Sequence, residues 1–361
     1  MNILFVTDFY KPHIGGVEKL FSSLAENLAN EGHQVKYITW KYQKKLPSKE
    51  NCSGVNLFRI SAPKRLLFPL FALFRITKEA KKADLIHTST YSSAIGAWVA
   101  GKLTGKKIIL TVHEAWGDLW MEMPFLSSTQ KRLFRKFEYW LLHLNFDQYI
   151  AVSDFTRQKL IEAGIAPEKI VRIYNGIDYK LPVWKDPGVP FCFCFFGRAG
   201  ASKGLDILIV AAENFTELHP EVRFKFIVSP QDRTIFNQMV TRITNGKLRN
   251  YSSFLTELPH AQLEKEILSS NCIIIPSLCE GFGFTAVEAS AMQIPLISSG
   301  MGALPEVTSG EVITLESLTI ESLTEAMEDA LHYRFKKIEI KKFTIEEFIS
   351  NHISLYHQLT R

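Results

Sequence analysis

The N-terminal segment changes its hydrophobic periodicity twice, and this change limits how the chain can fold. A short apolar run predicts a buried strand over 3–7, and apolar residues at helical spacing then predict a helix over about 17–31. A second strand is predicted over 34–40. Strand, helix and strand in this order form a βαβ unit, which implies a parallel sheet with a right-handed crossover.

The same alternation continues in two series. In the first, strands are predicted over 84–89, 107–114 and 147–153. In the second, they are predicted over 191–198, 223–229, 272–277 and 295–299. Residues 174–190, rich in Pro, Gly and Asp, have the composition of a linker between the two series.

This organisation predicts an α/β protein with two Rossmann-like, doubly wound domains facing each other across a cleft. A length of 361 residues suits two domains. We place the N-terminal domain at 1–180 and the C-terminal domain at 181–342, followed by an amphipathic helix within 343–361. Loops from the carboxyl ends of both sheets are expected at the cleft.

Composition narrows the class of protein. Hydrophobic residues make up 46% and charged residues 22%, which argues against disorder. The five cysteines form no Cys-x-x-Cys pair and are interpreted as buried reduced thiols, so a cytoplasmic location is expected. The N-terminus lacks the pattern of a signal peptide, and no apolar run reaches the roughly 20 residues of a membrane span.

Positive charge is concentrated in the first half of the chain. Residues 1–185 contain 27 Lys and Arg against 16 Asp and Glu, which predicts an anionic partner for this half. Two stretches, 63–82 and 130–143, mix cations with large apolar residues. They could lie on an anionic membrane surface, as in a peripheral protein of the inner face of the cytoplasmic membrane, or be ordinary amphipathic helices that pack on the sheet. No nucleic-acid-binding signature is present, so no nucleic acid is expected as a partner.

Gly15 and Gly16 lie in the first loop, just before the predicted helix. Glycines allow a ligand close to the backbone, and a helix N-terminus offers free N–H groups to a phosphate. The pair would equally suit a plain structural turn. It is not the GxGxxG fingerprint, and no acidic residue ends the second strand, which argues against a dinucleotide-dependent dehydrogenase.

Arg198 and Lys203 share one loop after the first strand of the second series. Two cations at a strand's carboxyl end can neutralise a diphosphate and stabilise it as it leaves. The alternative is a solvated basic loop.

Glu280 and Glu288 lie within the segment PSLCEGFGFTAVEASAM, with Gly281 and Gly283 between them. Carboxylates accept hydrogen bonds from the paired hydroxyls of a sugar or ribose, and backbone amides near Gly281 and Gly283 are exposed at the start of the helix. Glutamates in a first helical turn also occur simply as partners of the helix dipole.

Taken together, the ordered motifs resemble those of glycosyltransferase family 4, the group 1 glycosyltransferases. They are GGVEKL near the start, VHE at 112–114, AVS at 151–153, NGID at 175–178, GR…SKG at 197–204, EGFGFTAVEA at 280–289, PLISS at 295–299 and LPE at 304–306. The resemblance covers nearly the whole chain. It implies the GT-B fold and a retaining glycosyltransferase that moves a hexose from a UDP- or GDP-linked donor to a glycan or lipid-linked acceptor.

The resemblance also implies residue roles. Glu288 would hold the donor ribose, and Glu280 would meet the hydroxyls of the transferred sugar. Arg198 and Lys203 would grip the diphosphate, and His113 would bond a hydroxyl of the reacting sugar. Backbone amides would add to the donor site at Gly15, Gly16, Gly281, Phe282, Gly283, Phe284 and Thr285.

The implied chemistry is front-face attack with retention of configuration, in which the leaving diphosphate helps to take the acceptor proton. No Asp-x-Asp triplet occurs, so neither a metal nor a cofactor is expected beyond the nucleotide sugar. The N-terminal domain would bind the acceptor, and 343–361 would pack back onto it. Two alternatives remain: a catalytically silent homologue with a binding or scaffold role, and a nucleotide-sugar epimerase.

The chain also departs from the family pattern. EASAMQIP carries Ser290 and Gln293 where the family often has EAMA and G-x-P, and SPQDRT replaces a glycine-rich stretch near the nucleotide. Glu114 follows His113 where Asp or Gly is common. These differences leave base recognition and the acceptor side open.

Overall fold

The computed structural model describes residues 1–13, 15–90, 92–230 and 232–360. The chain divides into two compact units, each with its own sheet and core. The N-terminal unit comprises 1–121, 131–176 and the segment from Phe343 onward; the C-terminal unit comprises 122–130 and 177–342. The junction after Gly176 lies four residues before the predicted boundary at 180/181.

The N-terminal unit contains an eight-stranded sheet. Its strands are β1 (Asn2–Val6), β2 (Gln34–Trp40), β3 (Lys49–Cys52), β4 (Val55–Ile60), β5 (Leu85–Ser89), β6 (Lys107–Val112), β7 (Gln148–Ala151) and β8 (Ile170–Arg172). Its helices are α1 (Gly16–Asn30), α2 (Phe68–Ala80), α3 (Ser92–Thr104), α4 (Ser128–Leu142, whose first three residues fall in the other unit), α5 (Asp154–Glu162) and α12 (Ile345–Thr360).

Strand order in this sheet is β3-β4-β2-β1-β5-β6-β7-β8, and every pair is parallel except the β3–β4 hairpin. Along β1, Leu4 and Val6 join a core with the buried faces of α2, α3, α4 and α5. Phe5 faces the other way, against Phe21 of α1 and His87 of β5. The sheet is therefore sandwiched between an α2–α5 layer and an α1/α12 layer.

Helix α12 is held to this unit by a buried polar contact. His87 Nδ1 lies 2.6 Å from the hydroxyl of Tyr356, and His87 Nε2 lies 2.7 Å from the hydroxyl of Thr111. The amphipathic helix expected within 343–361 thus spans Ile345–Thr360 and belongs to the N-terminal unit; Arg361, its last expected residue, lies outside the described residues.

The C-terminal unit contains a seven-stranded sheet in the order β11-β10-β9-β12-β13-β14-β15, parallel except for β14–β15. Its strands are β9 (Cys192–Arg198), β10 (Arg223–Ser229), β11 (Ser252–Leu255), β12 (Cys272–Ile275), β13 (Leu296–Ser298), β14 (Gly310–Thr314) and β15 (Lys336–Ile338). Its helices are α6 (Leu205–Leu218), α7 (Arg233–Asn245), α8 (His260–Leu268), α9 (Phe284–Ala291), α10 (Leu304–Val307) and α11 (Ile320–Leu331).

Two α/β units of this kind confirm the predicted fold class. Predicted strand and helix positions agree with the observed elements within a few residues, and the segment 174–190 contains no regular helix or strand. The β3–β4 hairpin, the edge strands β8, β11 and β15, and the neighbouring strand β14 were not predicted, because these short strands lack a strong periodicity of their own. No helix among the described residues is both long and apolar enough to cross a bilayer.

Candidate functional site

At the centre of the C-terminal sheet, two loops that carry predicted site residues lie side by side. From β9 the chain moves to β10 on one side, whereas β12 lies on the other side of β9, so the strand order reverses between β9 and β12. The loop 199–204 follows β9, and the loop 276–283 follows β12. Ligands of doubly wound folds bind at such a point, outside the carboxyl ends of the strands.

Glycine lets these loops approach each other closely. Gly204 has a φ of +63°, and a Cβ there would lie 1.9 Å from the carbonyl oxygen of Pro276. Beside it, the N–H of Leu278 donates to the carbonyl of Ser202 at 2.8 Å. Any larger residue at 204 would push the loops apart.

Lys203 and Glu280 meet where the loops touch. Lys203 Nζ lies 2.7 Å from Glu280 Oε1, and the hydroxyl of Ser277 donates to the same oxygen at 2.7 Å. Glu280 is only 8% exposed, so both groups are largely shielded from water. Two residues that sequence reasoning assigned to separate roles therefore form one polar cluster.

The backbone of Glu280 is fixed by a segment that the sequence analysis did not single out. Gly302 has a φ of +67°, and a Cβ there would lie 2.4 Å from the carbonyl oxygen of Glu280. The same carbonyl accepts a bond from Ala303 N at 2.9 Å. Two glycines in SSGMGAL, directly after a strand, were the available signal.

Helix α9 contributes the third part of this cluster. Gly283, with a φ of +90°, precedes the helix and makes no side-chain cap. Phe284, Thr285 and Glu288 are half-buried on one face of α9, while Ala286, Val287, Ala289 and Ser290 are buried. Among the described residues, none accepts a hydrogen bond from the N–H of Phe284 or Thr285, so these amides can meet an anion.

Arg198 ends β9 beside this helix. An ideal Cβ on the adjacent Gly197 would lie 4.0 Å from the hydroxyl of Thr285, which places the end of β9 against the start of α9. Within the described ranges, the half-buried guanidinium of Arg198 has no acidic partner. Of the predicted donor residues in this unit, Arg198, Lys203, Glu280 and the 281–288 segment thus share one edge of the sheet.

In the N-terminal unit, Gly15 and Gly16 stand at the start of α1 as predicted. Gly15 is the N-cap in an extended conformation, and no side chain caps it. Glu18 folds back over it, since a Cβ on Gly15 would lie 2.0 Å from Glu18 Oε2. Glu18 also lies near His13, at 3.5 Å, so an acidic side chain already stands at this helix N-terminus.

His113 directly follows β6 and lies on the α1 side of the sheet. Its ring meets Phe21 of α1 edge-on, with centroids 5.6 Å apart. His113 and the first turns of α1 are therefore neighbours in this unit. Their place relative to the donor residues of the other unit stays a prediction.

Sequence reasoning missed two buried carboxylates at the same edge of the N-terminal sheet. Asp8 follows β1, accepts bonds from Ser92 Oγ and Ser93 N at 2.8 and 2.9 Å, and pairs with Arg65 at 2.7 Å. Its isolated position in TDFY gave no signal. Both carboxylate oxygens of Asp8 already accept bonds from the protein. Asp8 therefore connects the end of β1 to the start of α3 and is not placed to bind a ligand.

Glu138 of α4 is the second buried carboxylate. It accepts bonds from the backbone N–H of Trp116 and Gly117 and from the Trp120 indole, at 2.7–3.1 Å. Burial raises the pKa of Glu138 above its usual range, although these three donors favour the ionised form. Glu138 thereby fixes the loop 114–121 that follows His113, where the Trp116 and Trp120 rings stack at 5.4 Å.

No group of three or more His, Cys, Asp or Glu side chains within the described residues is arranged to hold a metal ion. Metal independence remains a prediction.

Comparison with known proteins connects both units to one class. Residues 14–181 match Glycosyltransferase Family 4, and residues 182–344 match Glycosyl transferases group 1. The chain is 22% identical to a phosphatidylinositol N-acetylglucosaminyltransferase subunit of Arabidopsis thaliana, over 94% of this chain and 78% of that protein.

Solved structures show the same fold. Sucrose-phosphate synthase from Thermosynechococcus elongatus is similar with a TM-score of 0.83 and 18% identity, over 99% of both chains. Anabaena HepE, solved with UDP and glucose, is similar with a TM-score of 0.73 and 17% identity, over 99% of this chain and 100% of that one. These likenesses confirm two Rossmann-like domains of the GT-B type, and the chain belongs to the group 1 glycosyltransferases of family 4.

Proposed function

We propose that this glycosyltransferase transfers a hexose from a UDP- or GDP-linked donor to a glycan or lipid-linked acceptor, with retention of anomeric configuration and without a divalent metal. The observation that carries the proposal is the Lys203–Glu280 contact at the point where the C-terminal strand order reverses, beside the open N-terminus of α9.

Each part of this cluster suits one part of a nucleotide sugar. An ammonium group has three donors, so Lys203 can keep its bond to Glu280 and still bind a diphosphate oxygen. Arg198 and the amides of Phe284 and Thr285 add positive potential for the leaving diphosphate. Glu288 then accepts bonds from the ribose hydroxyls, and Glu280 from those of the sugar.

Positioning and charge stabilisation account for the catalysis in this proposal. As the glycosidic bond to the diphosphate breaks, negative charge grows on the leaving oxygen, where Lys203 and Arg198 stabilise it. The acceptor hydroxyl attacks the same face, and its proton passes to the leaving diphosphate. His113 and the backbone at Gly15 and Gly16 would approach the sugar and the diphosphate from the N-terminal unit.

The nucleotide and the acceptor have indirect support. HepE was solved with UDP, which favours a uridine nucleotide, and the name of the Arabidopsis relative specifies phosphatidylinositol, which favours a lipid acceptor. We propose a cytoplasmic protein that works peripherally at the inner face of the cytoplasmic membrane.

Product analysis tests this function. The protein is incubated with UDP- and GDP-hexoses and a pool of lipid-linked glycans, with and without EDTA, and the anomeric configuration of the product is read by NMR. Transfer with retention that EDTA does not reduce supports the proposal. Inversion, a metal requirement, or a donor sugar altered without any acceptor (the epimerase outcome) would overturn it.

A further inference from the structure

Helix α2 carries two apolar faces, of which only one is used inside the protein. Phe68, Ala72 and Ile76 are buried against the sheet. On the outer side, an apolar stripe stands in solvent at helical spacing, with Phe74 82% and Leu70 70% exposed. Its members are Leu66 and Leu67, in the turn just before α2, and Leu70, Phe71 and Phe74 of the helix itself.

Helix α4 presents a similar outer surface. Leu133, Tyr139 and Trp140 are exposed along it, whereas Leu141 and Leu142 are buried in the same core as the inner face of α2. Because α2 and α4 cover the same face of the sheet, their outer surfaces belong to one layer. We call the exposed residues of 64–82 and 131–143 the outer helical surface.

Cations surround the apolar stripe on this surface. Lys64 precedes it, and Lys78, Lys81 and Lys82 follow it, all exposed. On α4, Arg132 and Lys136 are exposed next to Leu133. The acidic residues of the two helices, Glu79 and Glu138, are both buried, so among the described residues of α2 and α4 no carboxylate is exposed.

The opposite layer of the same sheet is different. The exposed positions of α12 are polar or acidic, including Glu346, Glu347, Asn351 and Gln358. Within its described residues, 345–360, α12 contains neither Lys nor Arg. The combination of exposed apolar residues with exposed cations therefore distinguishes the outer surfaces of α2 and α4 from that of α12.

From this arrangement we propose that the outer helical surface binds an anionic lipid bilayer, with its apolar stripe in the interface and its lysines on the headgroups. At 13 residues, α2 is too short to span a bilayer and suits an interfacial position. Tyr139 and Trp140 are residue types favoured at the same depth. A two-fold dimer through this surface would bring lysines against lysines, which disfavours a second copy as the occupant.

This inference names the surface through which the proposed membrane association would occur, and its biological role rests on the proposed function. Vesicle binding itself is measured without donor and without acceptor. Loss of transfer with intact vesicle binding would therefore contradict the proposed function alone, and the reverse would contradict this inference alone.

The test is co-sedimentation of the full chain with vesicles of equal parts phosphatidylcholine and phosphatidylglycerol, against vesicles of phosphatidylcholine. We expect binding to the anionic vesicles that is lost when salt is raised from ~0.1 M to ~1 M, where the screening length falls to about 3 Å. Phe71→Ser with Phe74→Ser, and separately Lys81→Glu with Lys82→Glu, should each weaken binding at least about tenfold.

Two matched variants control for surface change in general. Leu218→Ser removes an equally exposed apolar side chain from α6, and Lys44→Glu with Lys45→Glu reverses two exposed lysines elsewhere in the N-terminal unit. Both should bind vesicles as the unchanged chain does, and thermal unfolding should show all variants folded.

Equal binding to neutral and anionic vesicles would overturn the proposal, as would variants of α2 that bind normally. A concentration-dependent dimer in light scattering that Phe71→Ser with Phe74→Ser dissociates, without vesicle binding, would assign the surface to a second copy instead.

Discussion

The carboxyl edges of the two sheets differ in how their charged groups are used. In the C-terminal unit, Lys203 and Glu280 meet beside a helix start whose amides at Phe284 and Thr285 have no acceptor among the described residues. In the N-terminal unit, Asp8 and Glu138 are already saturated by internal donors. The first edge therefore offers groups that can bind a charged ligand, which is the proposed role of this edge, whereas Asp8 and Glu138 hold the loops of the second edge in place.

The two edges also differ in how much of their arrangement can be recognised from local sequence motifs. Lys203 and Glu280 each lie in a loop that follows a strand, so each could be recognised from a short motif, although their contact joins residues 77 apart and was not predicted. The N-terminal edge depends on contacts such as Glu138 with Gly117, 21 residues apart, and Asp8 with Ser93, 85 residues apart. Such contacts become visible only when the chain is folded.

The largest expected effect is on kcat, from a substitution at the carboxyl edge of the C-terminal sheet. Lys203→Ala removes a cation at the leaving diphosphate and should reduce kcat by about 10²–10³. Single-turnover kinetics with saturating donor measures the effect. The control is Lys225→Met, which removes the cation of another ion pair in the same unit, Lys225–Glu266 at 2.9 Å. If this variant lowers kcat as much, the carboxyl edge of the C-terminal sheet has no special role.

The next largest effect concerns how the stability of the N-terminal unit depends on pH. Burial lowers the pKa of His352 to about 4, and burial next to His352 and His113 lowers the pKa of His87 well below its usual value. Below the ordinary imidazole pKa of about 6.5, the unfolded chain binds protons that the folded unit does not. The free energy of unfolding should therefore reach its full value above about pH 6.5. It should decrease towards pH 4, by up to roughly 3 kcal/mol from His352 alone.

Denaturant unfolding across this pH range, for the unchanged chain and for His352→Phe, checks the prediction. The variant should show a shallower slope, with a residual slope from His87. His260→Phe, a change at an exposed histidine of α8, should leave the slope unaltered. An unchanged slope in His352→Phe would contradict the assignment.

Glu138→Gln should have an intermediate effect, on the stability of the protein and on KM for the acceptor. The amide keeps one acceptor but turns donors toward the N–H groups of Trp116 and Gly117, at a cost of about 1–3 kcal/mol in unfolding free energy. Because the loop 114–121 belongs to the proposed acceptor side, KM for the acceptor should rise while donor affinity stays constant. Asp118→Asn, at the 88% exposed side chain in the same loop, serves as the control; a rise in donor Kd with Glu138→Gln would instead contradict the division of roles.

The smallest effect is expected at the start of α1. Glu18→Gln removes a negative charge that lies over Gly15, so a diphosphate bound at these amides should gain ~0.3–1 kcal/mol, or a few-fold in affinity. Titration of UDP and GDP in low salt measures it, with Glu31→Gln at the other end of α1 as the control. Unchanged affinity in Glu18→Gln would exclude Gly15 and Gly16 from the diphosphate site.

Particular residues show what could be predicted. The long helices and central strands followed from periodicity, and Lys203 and Glu280 from their motifs, because such signals are local. The β3–β4 hairpin was missed since Lys49–Cys52 alternates only weakly, and Gly302 since its role depends on a backbone oxygen 22 residues earlier. The second apolar face of α2 was not distinguishable from a buried one, because exposure is set by packing and not by composition.

The central claim is that the C-terminal edge binds a nucleoside diphosphate, and titration calorimetry with UDP, GDP and ADP tests it most directly. We predict that UDP or GDP binds, that EDTA does not change the affinity, and that Arg198→Ala and Glu288→Gln each weaken it by about tenfold or more. Absence of binding by every nucleotide, or undiminished binding in both variants, would contradict the account.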